Sequence, residues 1–204
     1  MRRPSRRAAK PATRARREGL AREKVFAVAA DLFYRRSIRA VGVETIVQEA
    51  GVAKISLYRS FASKDDLIVA YLENRNAGYW RHIDRLMATR RDARARLRAL
   101  IAYVAGRATT RGYRGCPFIN YAAEFPEASH PGHRVVAANK REMRDRLADL
   151  SKAIGAHRPG QLADALFLLI EGAYASSRTL GGSSGPGAAL ARSAAALIAA
   201  HLDG

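Results

Sequence analysis

Between Gly42 and Phe61 the chain sets two short apolar patterns on either side of one glycine. Val43, Ile46, Val47 and Ala50 recur at spacings of three and four, so they predict a helix with these side chains inside and Glu44, Thr45, Gln48 and Glu49 outside. Gly51 stops that helix, because glycine takes the positive φ of a helix end at no steric cost. After a brief turn, Lys54 to Ser60 predicts a second helix of two turns. Leu57 and Phe61 stand four apart and can pack, while Lys54, Ser56 and Arg59 stay on the outer side. A helix packed on a helix, a tight turn at a small residue and a polar outer face on the second helix meet the needs of an element that enters the major groove.

The remaining chain also reads as helix. Leu20, Val25, Phe26, Ala29, Ala30, Leu32 and Phe33 are assigned to one face of a helix that begins at Glu18. Ser63-Lys-Asp-Asp predicts a capped start for a helix reaching about Met87. Further helices are expected at about 92–109, 117–125, 132–155, 160–180 and 187–202, separated by Gly- and Pro-containing breaks. No alternating β run and no internal repeat stands out. The fold class is therefore all-α: an N-terminal three-helix helix-turn-helix domain at 18–63 and a C-terminal helical bundle at 64–204. Residues 1–17, with Pro4 and Pro11 and no apolar periodicity, are read as a disordered basic tail.

Charge narrows the choice of partner. The chain of 204 residues carries 36 Lys and Arg against 18 Asp and Glu, a net charge of +18. Such an excess points to a polyanion, either nucleic acid or an anionic membrane surface. Eight of the basic residues fall in positions 1–17, which leaves the rest of the chain at +10. The one cysteine, Cys116, excludes an intrachain disulfide. The charged N-terminus has no apolar run behind it, so it does not read as a secretory signal, and no stretch reaches the roughly 18 apolar residues of a membrane span. Cytoplasm, with association to the nucleoid, is the expected location, and no membrane partner is expected.

The stretch from Glu49 to Leu67, Glu-Ala-Gly-Val-Ala-Lys-Ile-Ser-Leu-Tyr-Arg-Ser-Phe-Ala-Ser-Lys-Asp-Asp-Leu, resembles the DNA-binding signature of the TetR family. Ala-Gly-Val-x-Lys, Leu-Tyr-x-x-Phe and Ser-Lys-Asp-Asp-Leu stand together at the family's spacings, and the fit runs from Phe33 to Leu72 without a gap. Gly-Cys-Pro-Phe-Ile-Asn at 115–120 is similar to a segment of one branch of the family. The resemblance implies an Ω-shaped homodimer that reads a palindromic site in double-stranded DNA, with a C-terminal ligand-binding and dimerisation domain. By the family's motif, Lys54 and Tyr58 contact phosphate or bases, Ser56 reads a base, and Lys64 meets phosphate at a helix start. Thr45, Ile55, Arg59 and Ser60 complete the expected DNA-binding set. Two positions depart from the pattern. Gly42 stands where the family often has Ser or Thr, and Ser60 where His is common. Glycine is an acceptable cap. The missing His removes a phosphate contact that Arg59 or the tail can offset.

Candidate effector residues in the C-terminal part are Trp80, Tyr103, Cys116, Phe118, Tyr121 and Glu124, with Ile83 and Asn120 beside them. The competing reading makes the aromatics ordinary core. Cys116, before Pro117 at a helix start, is a candidate oxidisable thiol or a merely tolerated small residue. His130 and His133 form His-x-x-His in a loop and lack the further ligands a metal needs. Gly181-Gly-Ser-Ser-Gly185 matches Gly-x-Ser-x-Gly in letters, yet a helix precedes it and Pro186 follows, so it reads as a flexible link. No cofactor and no metal is expected. The last two helices are rich in small residues and supply the expected dimer interface.

These readings converge on a ligand-responsive repressor whose effector is an unidentified small molecule. A rival is a nucleic-acid-coating protein driven by the tail and net charge. An enzyme lacks support, since no metal set, nucleotide loop or catalytic triad is present.

Overall fold

The computed structural model describes residues 11–180 and 185–202. Among them are nine α-helices and no strand: α1 (Pro11–Arg35), α2 (Val43–Ala50), α3 (Lys54–Ser60), α4 (Lys64–Ala88), α5 (Ala93–Thr109), α6 (Pro117–Glu124), α7 (Gly132–Ala153), α8 (Pro159–Leu180) and α9 (Pro186–Ala200). The chain is all-α, as the periodicity requires. It divides into two compact units between Tyr71 and Leu72, within α4. Residues 1–10 of the expected tail and 181–184 of the expected link lie outside the described residues.

In the first unit α1 packs against α2 and α3. Val25, Ala29, Leu32 and Phe33 of α1 are buried against Val43, Ile46, Leu57 and Phe61, with Leu67, Ile68 and Tyr71 of α4 completing the core. The Phe33 and Tyr71 rings meet edge to face with centroids 5.6 Å apart. Two expectations for α1 need correction. The helix starts at Pro11, so 11–17 is helical. Proline is pre-organised for the first helical position, and the Ala- and Arg-rich run behind it favours helix. Leu20 is exposed, contrary to its assignment to the inner face. At about 100° per residue it lies on the side opposite Ala29.

The turn between α2 and α3 closes by backbone alone. Gly51 sits at φ 63°, ψ 40°. Its N–H donates to the Gln48 carbonyl at 3.2 Å, and the Val52 N–H donates to the Val47 carbonyl at 3.1 Å. This paired closure satisfies two end carbonyls and requires a left-handed residue, which is why glycine stands there. Ser63 caps α4, its Oγ accepting from the Asp66 N–H at 3.0 Å.

In the second unit α8 lies against both α7 and α9, and α5 packs on all three. Leu97, Leu100, Val104, Leu147, Leu162, Leu166, Ile170 and Leu190 fill the interior. Asp92 caps α5 by accepting from the Ala95 N–H at 2.7 Å. α6 rests on α7 at Gly132, where an added Cβ would come within 2.5 Å of the Tyr121 ring. Only a residue without a side chain fits there.

Candidate nucleic-acid interface

α3 has one buried side and one open side. Leu57 is fully buried and Phe61 nearly so, which fixes the helix to α1 and α2. On the open side Ile55 is 59% exposed and Tyr58 43% exposed, with Lys54 and Arg59 beside them. Ser56, Ser60 and Thr45 are half-buried. Two adjoining large apolar side chains in water among cations are unfavourable for an isolated chain but suit a groove that offers thymine methyl groups next to phosphates.

The expected DNA-binding residues divide by their present partners. Lys54 pairs with Glu44 of α2. That hydrogen bond holds the Glu44 carboxyl below its ordinary range and the Lys54 ammonium above its own, with the mutual attraction acting the same way. Ser60 donates its hydroxyl to the Ser56 carbonyl at 3.0 Å. Lys64 donates Nζ to the Ile38 carbonyl at 2.8 Å, tying the start of α4 to the segment after α1. Ile55, Tyr58 and Arg59 project outward.

Arg22 is a contributor the sequence reading missed. Its guanidinium donates to the Ser60 carbonyl at 2.6 Å and lies over the Phe61 ring, 4.5 Å from the centroid. A cation at the C-terminal end of α3 satisfies an end carbonyl and complements the helix dipole. The only sequence signal was an arginine on α1, one among many.

The expected effector residues are all buried or half-buried in the second unit. Tyr121 is fully buried, stacks on Phe125 with centroids 4.9 Å apart, and makes a hydroxyl contact to His130 Nδ1. His133 bonds through Nε2 to the Phe125 carbonyl at 2.8 Å. His-x-x-His thus serves the packing of α6 on α7. Phe118 is buried and Glu124 half-buried on the same short helix. Trp80 is buried beneath the Arg146 guanidinium, which lies 4.4 Å from the ring centroid. Among the described residues no three His, Cys, Asp or Glu side chains gather into a metal site.

Tyr103 and Cys116 share Tyr79 as a neighbour, and the Tyr79 ring also meets Trp80 edge to face with centroids 4.9 Å apart. The Tyr103 and Tyr79 rings lie 6.1 Å apart. Cys116 Sγ lies 3.8 Å from Lys140 Nζ, which pairs with Glu171 at 2.6 Å. Burial pushes the Cys116 thiol up, against the pull of the Lys140 charge. Burial outweighs what the helix start at Pro117 and the Lys140 charge offer the ionised form. Burial likewise holds the Tyr79 and Tyr174 phenols above their ordinary range.

Two short helices around a left-handed glycine, with an open cationic face on the second, define a helix-turn-helix DNA-binding protein. The comparisons with known proteins give the family. Residues 25–71 match the model described as bacterial regulatory proteins, tetR family, and residues 93–194 match tetracyclin repressor-like, C-terminal domain. The chain belongs to the TetR family of transcription regulators, which act on DNA and are not enzymes.

SCO4454, a TetR-family transcriptional regulator from Streptomyces coelicolor, is 28% identical with a TM-score of 0.85 over 90% of this chain and 96% of that one. A TetR transcriptional regulator from Chloroflexus aurantiacus is 26% identical with a TM-score of 0.76, over 90% and 96% of the two chains. The HTH-type transcriptional activator FasR of Mycolicibacterium smegmatis is 34% identical over 87 residues, a match covering 39% of this chain and 36% of FasR. No helix among the described residues is long and apolar enough to cross a membrane.

Proposed function

We propose that the protein is a ligand-responsive repressor that binds a palindromic operator as a homodimer. The observation that carries this reading is the open face of α3, where Ile55, Tyr58 and Arg59 stand on a helix fixed from behind by Leu57, Phe61 and Arg22. Ser56 reads a base, Lys54 and Tyr58 meet phosphate or bases, and Thr45, Ile55, Arg59 and Ser60 complete the DNA-contacting set. Lys64 serves from the start of α4. The domain division proposed with it is a DNA-binding part at 18–63 and an effector and dimer part at 64–204. Such a protein works at the nucleoid, in the cytoplasm.

The dimer reading is supported by an unpartnered stripe on α8. Leu168 and Leu180 are exposed, and Leu168, Gly172 and Ala175 follow one another at spacings of four and three. α9 presents Ala191, Ala195 and Ala199 at spacings of four, also exposed. Small side chains let helices of a second copy approach closely, and the leucines supply apolar area.

Titration of the full chain on its own upstream DNA at several salt concentrations, with sedimentation of the complex, tests the reading. Expected is a dimer that prefers one palindromic site by about a thousandfold or more. Equal affinity for unrelated DNA, or a monomer, overturns it. Removing residues 1–10 separates the charge-driven alternative, because a coating protein loses most of its affinity and a repressor keeps its preference. A reporter fixes the sign of regulation: transcription that rises when the protein is absent fits repression, and transcription that falls makes the protein an activator, as FasR is named.

A further inference from the structure

Helices α4, α5, α6, α7 and α8 bring polar side chains to one interior place in the second unit. Tyr79 comes from α4, Tyr103 from α5, Cys116 from the cap of α6, Lys140 from α7, and Glu171 and Tyr174 from α8. The Tyr79 hydroxyl is enclosed and closes no hydrogen bond of ordinary geometry. The Tyr174 phenol is its neighbour. Tyr79 also feels the charge of Glu171 and lies near Cys116. A buried donor left unmet in a native structure calls for a reason, and a bound group that supplies the acceptor is one.

The inventory of the cluster fixes what that group is. Lys140 offers ammonium protons, Tyr79 a phenol proton and Cys116 a protonated thiol, whereas Glu171 is the one carboxylate paired there. A place with donors in excess and a lysine at its centre receives an acceptor, best an anionic one. Lys140 and Glu171 are largely enclosed but each keeps an edge in water, so Glu171 has a way out when something replaces it.

We propose that this cluster binds an organic carboxylate, which takes the place of Glu171 on Lys140 and accepts the Tyr79 proton. The exchange substitutes one ion pair for another and adds a hydrogen bond that the empty protein lacks. It also cuts the tie between α7 and α8, the helix whose outer stripe is assigned to the dimer. This last step, coupling to DNA, rests on the ligand-responsive reading above; binding itself does not.

Benzoate and benzamide distinguish carboxylate from shape. With the full chain, benzoate raises the melting midpoint and benzamide does not. Glu171→Gln removes the internal competitor, lowers the midpoint of the empty protein, and tightens benzoate about tenfold, since the apparent affinity rises with the fraction of sites open to ligand. Tyr79→Phe, added to Glu171→Gln, weakens benzoate again by about tenfold; it also controls for the many surface cations of a +18 chain, which no interior substitution alters. Equal affinity of wild type and Glu171→Gln for benzoate overturns the proposal. So does an affinity that Tyr79→Phe leaves unchanged, because benzoate would then merely fill a vacant charge. Benzoate that binds by all these criteria yet leaves operator affinity untouched supports the site and overturns the ligand-responsive reading.

Discussion

Lys54 meets Glu44 between α2 and α3, and Lys140 meets Glu171 between α7 and α8, in salt bridges of 2.5 and 2.6 Å. The first pair is open to water, with side chains 54% and 73% exposed; the second is largely enclosed, at 21% and 24%. The same chemistry therefore has different consequences. Water and salt screen the outer pair, so it adds little to the fold and leaves Lys54 open to exchange Glu44 for another anion. The inner pair is poorly solvated, so the loss of either partner leaves a charge that the fold must accommodate. An exposed pair is available for recognition, whereas an enclosed one holds two helices until a competitor arrives.

The largest effects separate the two sides of α3. Leu57→Ala empties a fully buried position and should cost about 2–5 kcal/mol in denaturant unfolding, taking DNA binding with it. Tyr58→Ala, one residue along, should leave stability within about 0.5 kcal/mol and weaken operator binding by about 1–3 kcal/mol. A Tyr58→Ala protein that binds DNA as tightly as wild type removes the assigned face.

Next come the two glutamates. Glu171→Gln strands Lys140 in a largely enclosed place and should destabilise by about 1–3 kcal/mol, below the cost at a fully buried pair because both groups still reach water. Glu44→Gln should leave the melting midpoint unchanged and strengthen DNA binding at low salt, since it removes a negative charge beside Lys54. Equal destabilisation by the two substitutions erases the distinction between the pairs. A smaller effect of opposite sign is expected at Tyr79→Phe. Removing a buried hydroxyl that closes no hydrogen bond should stabilise the empty protein by about 1 kcal/mol in thermal unfolding.

The two regions also differ in how far they were legible. α2, Gly51, α3 and the cap at Ser63 occupy one continuous stretch, and each local rule there points to the same structure. Spacing placed Leu57 and Phe61 inward and the turn at Gly51, and the coordinates agree. What was missed nearby came from outside the stretch: Arg22 reaches Ser60 from α1, 38 positions away. The polar cluster is the extreme of that case. Its members run from Tyr79 to Tyr174, and only packing of five helices brings them together. Cys116 and Tyr103 stand out in the sequence as the one cysteine and an aromatic; Lys140 and Glu171 are charged residues on long helices with no local motif to mark them.

The smallest effect concerns a residue that breaks a local rule just before the legible stretch. Ser37, in the bend after α1, has φ 137°, a conformation that costs a residue with a Cβ about 1–3 kcal/mol. Its Oγ accepts from the Ala40 N–H at 3.4 Å. Ser37→Gly removes the steric cost but loosens the unfolded chain, which takes back about 0.4–1 kcal/mol. The net expectation is a gain of about 0.5–1 kcal/mol in denaturant unfolding with operator affinity unchanged. Ser37→Ala keeps the strained φ and loses the Oγ bond, so it should destabilise. If glycine also destabilises, the serine side chain has a role in the bend that outweighs its strain, and even the continuous stretch around α2 and α3 would depend on more than spacing and turn chemistry.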